Sequence, residues 1–202
     1  MQSWLLAVDR FSSAVGKLFG WFILLLTAVI CYEVVMRYYF RAPTTWAFDI
    51  SYMLYGTLFM TAGAYTLSRN GHVRADFLYR AMPIRVQGAA DLALYLLFFF
   101  PAMIALCWYG WDFFRISLFQ NERSAFSPVG PYVWPFKFVI PAVGVLMLIQ
   151  GMAEAMRSAM ALRDGVWPQR LGDVEELEVI AMEQAAKIHA GPGPGATPSS
   201  AS

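Results

Sequence analysis

The chain has 202 residues, of which 58% are hydrophobic and 14% are charged, and its formal net charge is +1. Soluble domains carry roughly 45–50% apolar and about 25% charged residues, so this composition argues against a soluble protein. A net charge near zero also argues against nucleic acid as a partner.

Four apolar runs predict four transmembrane helices, because a bilayer-spanning helix needs about 20 largely apolar residues. In lipid only a helix satisfies its own backbone hydrogen bonds within such a segment, and no run alternates like a barrel strand. The first run could instead be a cleaved signal peptide, but Glu33–Phe40 offers no small-x-small cleavage site. With their flanks, the helices are expected over about residues 15–37, 46–68, 83–114 and 134–157.

The segment between the second and third helices begins with a charged turn, Gly71–Asp76, and continues into residues that predict a short interfacial helix. Pro83 suits the first turn of the third helix. Pro101 in the third helix and Pro141 in the fourth each remove a backbone donor, so both predict a kink or local unwinding. Cys31 and Cys107 lie inside apolar runs and are expected to be small buried hydrophobes.

Beyond the fourth helix the sequence becomes polar. Asp173 and Glu176 match a capping box, with Asp173 as the N-cap, which predicts a soluble helix after it. The chain then ends in a Gly-, Pro- and Ser-rich stretch. We therefore expect a four-helix membrane domain over 1–163, a cytoplasmic helical extension over 164–190 and a disordered tail over 191–202.

The distribution of basic residues predicts the orientation. Nine Lys and Arg residues flank the helices on the side of the N-terminus and of the 69–90 loop, against five on the opposite side. Both termini and this loop are therefore predicted to be cytoplasmic. Aromatic residues cluster near the predicted external ends of the helices, as headgroup-level belts do.

The sequence gives little support for catalysis. No predicted membrane helix contains a histidine, and no phosphate loop, catalytic carboxylate pair or nucleophile elbow is present. We expect no enzymatic activity, no cofactor and no metal site. Glu33 lies four residues before Arg37, which predicts an ion pair on one helix face. The alternative is that Glu33 is the coupling site of a self-sufficient, proton-coupled small transporter.

Charged residues of both signs gather on the predicted external side. Such a mixture suits a polar docking surface for a protein partner, and a plain solvated rim is the alternative. The acidic and basic members are Glu33, Asp49, Asp112, Glu122, Arg37, Arg41, Arg115, Arg123 and Lys137.

A series of short motifs follows the four predicted helices in order. They are Arg37–Phe40 with Trp46, Ala64–Leu67 leading into Gly71–Asp76, Asp91 with Pro101, Glu122 with Ser124, Gly130–Pro131, Trp134–Pro135 with Lys137, Ile140–Pro141 and Gln150–Gly151. Over about residues 15–160, this ordered set resembles the small membrane (Q) subunit of TRAP transporters, the tripartite ATP-independent periplasmic carboxylate uptake systems. Asp49 stands where that family often has Glu, which keeps the charge.

The resemblance implies a division of labour between subunits. In that family a large (M) subunit carries the substrate and sodium sites and makes an elevator-type movement, while a periplasmic binding protein docks on the external face. It implies that this chain is an inner-membrane scaffold that packs on the large subunit and on lipid. Structural or docking roles are then expected for Glu33, Arg37, Trp46, Asp49, Gly71, His72, Arg74, Asp76, Asp91, Glu122, Trp134 and Lys137.

Overall fold

The computed structural model describes residues 2–69, 82–127, 130–168 and 170–174, together with 177, 179, 180 and 182. This part of the chain is built from helices, with one isolated antiparallel bridge between Arg123 and Tyr132. A five-residue π-helical turn, Tyr95–Phe99, joins the fourth helix to the fifth. The helices are α1 (Gln2–Gly20), α2 (Phe22–Tyr38), α3 (Ala47–Ser68), α4 (Ile84–Leu94), α5 (Phe100–Phe119) and α6 (Trp134–Asp164).

The central element is α6, which packs against α1, α3, α4 and α5, whereas α2 packs mainly on α3. Of its 31 residues, α6 buries 12. By contrast, the 17 residues of α2 include one buried residue, Leu26, and the 20 residues of α5 include two, Gly110 and Ser117. The outer helices α2 and α5 therefore expose wide apolar faces, as helices in lipid do.

Three helical stretches of the described residues are long and apolar enough to cross a membrane, namely Gln2–Tyr38, Ile84–Phe119 and Trp134–Asp164. The 22 residues of α3 are about 33 Å long at 1.5 Å per residue, but Asp49 and several hydroxyl side chains lower its hydropathy. The hydroxyls of Thr57, Thr61 and Thr66 donate to carbonyls one turn earlier in the same helix. The class of all-α membrane protein is confirmed, and α3 as a fourth span stays a prediction.

The N-terminal part of the chain is more helical than the sequence predicts. Instead of one helix over 15–37, the structure has α1 from Gln2 to Gly20 and α2 from Phe22 to Tyr38, with a break at Trp21. The buried residues of α1 recur every three or four positions, so they form one inward face. This face is partly polar, since it includes Leu5, Val8, Asp9 and Ser12. Because this face contains polar residues, the first half of α1 does not form an apolar run in the sequence.

The third predicted helix runs further than expected, through α4, the π turn and α5 to Phe119. The π turn ends two residues before Pro101. Because a proline cannot donate to the carbonyl four residues earlier and its ring collides with it, the backbone widens there by one residue. The local irregularity predicted at Pro101 is thus present, whereas α6 continues as an α-helix through the buried Pro141.

Two smaller expectations are wrong. Cys31 is exposed on α2, because no other described residues cover that face, while Cys107 is half-buried. Asp173 is not an N-cap: residues 171–174 are already helical, and the Asp173 carboxylate accepts a bond from the backbone N–H of Arg170 at 2.9 Å. Asp173 therefore takes the third helical position of a capping arrangement that begins at Arg170.

The predicted interfacial helix between the second and third spans lies outside the described residues, as does the tail over 191–202. The division of the chain at residues 163 and 190 stays a prediction.

Candidate functional site at the two ends of the bundle

At one end of the bundle, Asp49 ties the start of α3 to the loop between α5 and α6. Its side chain is fully buried and accepts hydrogen bonds from the hydroxyls of Ser124 and Ser127. Because Asp49 lies in the first turn of α3, the partial positive charge of the helix N-terminus also favours the carboxylate. The carboxylate therefore fixes a loop that lies 75 positions further along the chain.

The loop itself folds back sharply. The backbone N–H of Ser124 donates to the carbonyl of Pro131 at 3.0 Å, and that of Val133 donates to the carbonyl of Glu122 at 3.0 Å. A side chain at Gly130 would bring its Cβ within 2.8 Å of the Ser124 Cβ. The glycine is needed because the two arms of the loop approach so closely.

A second link at this end joins the loop to α6. The Lys137 side chain is almost buried, its ammonium bonds to the Glu122 carboxylate, and it lies 3.8 Å from the ring centroid of Phe113. The hydrogen bond from Lys137 holds the pKa of Glu122 below its ordinary value. We call Asp49, Glu122, Ser124, Ser127 and Lys137 together the Asp49 cluster.

The Glu33–Arg37 ion pair expected from the sequence is present, with an Nη2–Oε1 distance of 2.6 Å. The other carboxylate oxygen of Glu33 accepts hydrogen bonds from the Thr44 hydroxyl and from the Thr44 N–H, the latter at 3.0 Å. Both carboxylate oxygens of Glu33 are thus occupied by neighbours in the chain, and they fasten the loop that leads from α2 to α3.

The other residues expected at the site have varied surroundings. Trp46 stacks on Tyr32 of α2 at a centroid distance of 5.9 Å, and Trp134 is half-buried at the start of α6. Asp91 is buried on α4, on the far side of the bundle from Asp49. Four expected residues lie outside the described part of the chain, namely Gly71, His72, Arg74 and Asp76.

At the opposite end lies a buried charge cluster that the sequence analysis did not predict. The Arg157 guanidinium makes two bonds to the Asp9 carboxylate, at 2.6 and 3.1 Å, and one to Glu154 at 2.5 Å. Arg170 bonds to the second oxygen of Glu154 at 2.9 Å. Gln150 donates to Asp9 at 2.8 Å.

We call Asp9, Gln150, Glu154, Arg157 and Arg170 the Arg157 cluster. Its two acids and two arginines balance, which is the condition under which buried charges are stable. It joins three parts of the chain: α1, α6 and the segment after α6. Part of this cluster can be predicted from the sequence. Gln150, Glu154 and Arg157 are spaced by four and three residues, so they share one face of a helix.

The Asp49 cluster and the Arg157 cluster lie at opposite ends of the bundle, with uncharged segments between them. Between them, residues 50–68, 92–111 and 138–149 carry no charge. The charged groups described here bond to one another and to loops at the two ends, rather than forming a line through the apolar interior. These features are those of an all-helical membrane component with paired polar groups at its ends.

The comparison with protein families identifies the chain. The model for the DctQ component of the tripartite ATP-independent periplasmic transporters matches residues 26–160, about two thirds of the chain. The chain belongs to this family, and it is a small membrane subunit of a TRAP transporter. No curated protein matches the chain. The matched range contains the Asp49 cluster but not Asp9 or Arg170.

Proposed function

We propose that the chain is the static scaffold of a sodium-coupled importer of carboxylates in the bacterial inner membrane. In this proposal a large permease subunit carries the substrate and sodium sites, and a periplasmic binding protein delivers the substrate. The supporting observation is the separation of the two clusters by uncharged stretches, residues 50–68, 92–111 and 138–149. A subunit that itself moved ions or anions would need polar groups at the depth of the membrane midplane.

The external side in this proposal is the end that holds the Asp49 cluster, with both termini in the cytoplasm. Exposed charges of both signs surround this cluster: the Arg37 and Arg115 side chains are 56% and 58% exposed, and Asp112 is 44% exposed. Exposed charges of this kind steer association and fix its register. The bonds from Asp49 hold the loop in one shape, which favours docking of a protein with complementary charges.

The apolar faces of α2 and α5 are the surfaces proposed for the large subunit and for lipid. Association of helices in a bilayer rests on close packing rather than on removal of apolar surface from water. Helices with a wide exposed apolar face are therefore the natural ones to pack on another subunit.

The alternative, a self-sufficient proton-coupled transporter using Glu33, is less well supported. Both oxygens of Glu33 are occupied by Arg37 and Thr44, and the residue lies at the loop end of α2. A coupling carboxylate has to release and rebind its proton during each cycle, which these bonds oppose.

The test is uptake into proteoliposomes that contain this chain together with its large permease subunit and binding protein. We expect carboxylate uptake driven by a sodium gradient only when all three are present, and retained uptake per assembled complex with Glu33→Gln. Proton-linked flux by the chain alone, abolished by Glu33→Gln, would overturn the proposal. So would purification of the chain as a functional homo-oligomer that never binds the permease.

A further inference from the structure

The N-terminal helix α1 presents an apolar stripe to its surroundings although its opposite face is fixed to the bundle. Trp4, Phe11 and Leu18 recur every seven residues, or two helical turns, and are 44%, 56% and 65% exposed. Ala7 and Ala14 lie between them and are also exposed. The stripe is continuous with the exposed apolar surface of α2, since Trp21 at the junction is 67% exposed.

The depth of α1 follows from its contacts with α3 and α6. The starts of α3 and α6 lie at the same end of the bundle, since the rings of Tyr52 and Phe136 are 5.6 Å apart. Leu5 of α1 packs with Ala153, which lies 19 residues into α6 from Trp134, or about 28 Å. Residues at this distance reach the far edge of a hydrocarbon core of about 30 Å.

The other end of the inward face of α1 lies about 6 Å nearer to the end of the bundle that holds the Asp49 cluster. Gly16 packs so closely on Tyr65 that an added Cβ would lie 2.5 Å from the Tyr65 Cβ. Tyr52 and Phe136 mark one level of the bundle. Tyr65 lies 13 residues beyond Tyr52, about 20 Å along α3, whereas Ala153 lies 17 residues beyond Phe136, about 26 Å along α6. Because Leu5 and Gly16 are about 16 Å apart along α1 but contact levels that differ by only about 6 Å, α1 lies closer to the plane of the membrane boundary than to the axis of the bundle.

The charges of α1 are distributed unequally between its two faces. The one acidic residue of α1, Asp9, is buried against Arg157, whereas Arg10 and Lys17 are both exposed. These two basic residues are also seven positions apart, each directly before a member of the apolar stripe. An exposed surface with an apolar stripe and a basic edge is complementary to a bilayer surface that carries negative headgroups.

We propose that α1 is a membrane-surface helix that binds anionic phospholipid, with its stripe at the acyl boundary and with Arg10 and Lys17 on headgroup phosphates. This inference goes beyond the proposed function, because it requires neither the large subunit nor a substrate. The buried pair between Asp9 and Arg157 holds α1 at a fixed angle to the bundle, so lipid binding also sets the depth of the bundle in the membrane.

The first experiment measures depth. A nitroxide label is attached at Phe11→Cys in the full chain, with Cys31 and Cys107 replaced by Ser, in phospholipid vesicles. We expect the label to collide more with oxygen than with a water-soluble nickel complex, and to lie shallower than a label at Leu25→Cys on α2. Nickel accessibility equal to that of a label at Ala125→Cys in the loop would overturn the proposal. So would protection that arises only when the large subunit is added, since the stripe would then be a subunit contact.

The second experiment tests the charge of the lipid. The thermal unfolding midpoint is measured in phosphatidylcholine alone and in the same lipid with one third phosphatidylglycerol. We expect the midpoint to rise with phosphatidylglycerol, and this rise to be lost in the double variant Arg10→Gln, Lys17→Gln but kept in Arg10→Lys, Lys17→Arg. The matched control is Arg115→Gln, Arg123→Gln, which removes the same charge at the opposite end. An equal loss in that control, or no rise in the unmodified chain, would refute anionic lipid binding by α1.

Discussion

Asp9 and Arg157 are separated by 148 positions in the chain, yet their fully buried side chains form an ion pair with two hydrogen bonds, at 2.6 and 3.1 Å. The pair joins α1 to the central helix α6. Glu154 and Arg170 complete the charge balance around it. Because an unpaired buried charge is costly, α1 cannot leave the bundle without leaving Arg157 short of a partner.

This relationship predicts a large effect of Asp9→Asn. The substitution keeps the size of the side chain but leaves Arg157 and Arg170 with only Glu154 as a balancing charge. Removing one partner of a buried pair costs about 3–5 kcal/mol. We expect a loss of unfolding free energy of that order, measured by denaturant titration of the purified chain in mixed micelles.

The matched control for Asp9→Asn is Asp164→Asn, because the pair of Asp164 with Arg163 is exposed on both sides, at 58% and 88%. Exposed pairs contribute about 0–1 kcal/mol, so little change is expected there. The double variant Asp9→Asn, Arg157→Gln leaves Glu154 and Arg170 balanced and is expected to be more stable than Asp9→Asn alone. Equal stability of Asp9→Asn and Asp164→Asn would contradict the importance of the pair.

A second prediction concerns the contact of α4 with α6. A Cβ at Gly88 would lie 2.8 Å from both the Ser158 carbonyl oxygen and the Leu162 nitrogen. These are backbone atoms within a helix, so the two helices must separate to admit even one methyl group. We expect Gly88→Ala to cost about 1–3 kcal/mol of unfolding free energy, measured in the same titration.

Gly63→Ala provides the comparison for Gly88→Ala. A Cβ at Gly63 would meet only the Met147 side chain, at 3.7 Å, which is ordinary contact. Alanine favours the helix by up to about 1 kcal/mol over glycine, so this variant is expected to be neutral or more stable. A larger loss in Gly63→Ala than in Gly88→Ala would show that the close approach at Gly88 does not limit stability.

Features that depend on a few neighbouring residues were predictable from the sequence. The ion pair between Glu33 and Arg37 follows from i,i+4 spacing, and the irregular turn before Pro101 follows from the missing backbone donor. Helix α3 follows from an apolar run that its flanks delimit. In each of these cases the cause and the consequence lie within one or two helical turns.

Features that depend on distant partners were not predictable. The carboxylate of Asp49 was expected on a docking surface, but its partners Ser124 and Ser127 follow 75 and 78 positions later. The inward face of α1 is partly polar, and its partner Arg157 lies 148 positions after Asp9, so no local pattern indicates that this face is buried. A helical pattern shows which residues share a face, but not which other helix covers that face.

The loop held by Asp49 leads to a third prediction. In Asp49→Ala the buried hydroxyl of Ser124 loses its acceptor, at a cost of about 1–3 kcal/mol for a buried unsatisfied group, and the loop loses its bonds to the carboxylate in α3. We expect weaker binding of the periplasmic binding protein to the assembled complex, measured as Kd by surface plasmon resonance in nanodiscs. Asp49→Glu keeps a carboxylate and is expected to retain most of the affinity.

Two comparisons make the Asp49 prediction specific. Asp112→Ala removes a half-exposed acid near the same end without releasing the loop, so a smaller loss of affinity is expected. If Asp49→Ala lowers stability but leaves the Kd unchanged, the loop does not form the docking surface. If both variants weaken binding equally, the effect comes from charge rather than from the shape of the loop.

The last prediction concerns pH and the pair between Glu122 and Lys137. The hydrogen bond from Lys137 lowers the pKa of Glu122 in the folded chain below its ordinary value of 4.5. A lowered folded-state pKa means that the ionised carboxylate contributes stability above pH 4.5, and that this contribution is lost as pH falls from there through the folded-state pKa. Since the Glu122 side chain is 38% exposed, solvent screening makes the contribution small.

The measurement is the difference in thermal unfolding midpoint between the unmodified chain and Glu122→Gln across this range of pH. We expect Glu122→Gln to be less stable at neutral pH and the difference to shrink below pH 4.5, where the native carboxylate becomes protonated and resembles the amide. Asp112→Asn, which alters an exposed pair with Arg115 at 3.4 Å, is the control. A difference for Glu122→Gln that stays constant as the carboxylate titrates would show that the ion pair with Lys137 adds nothing to stability.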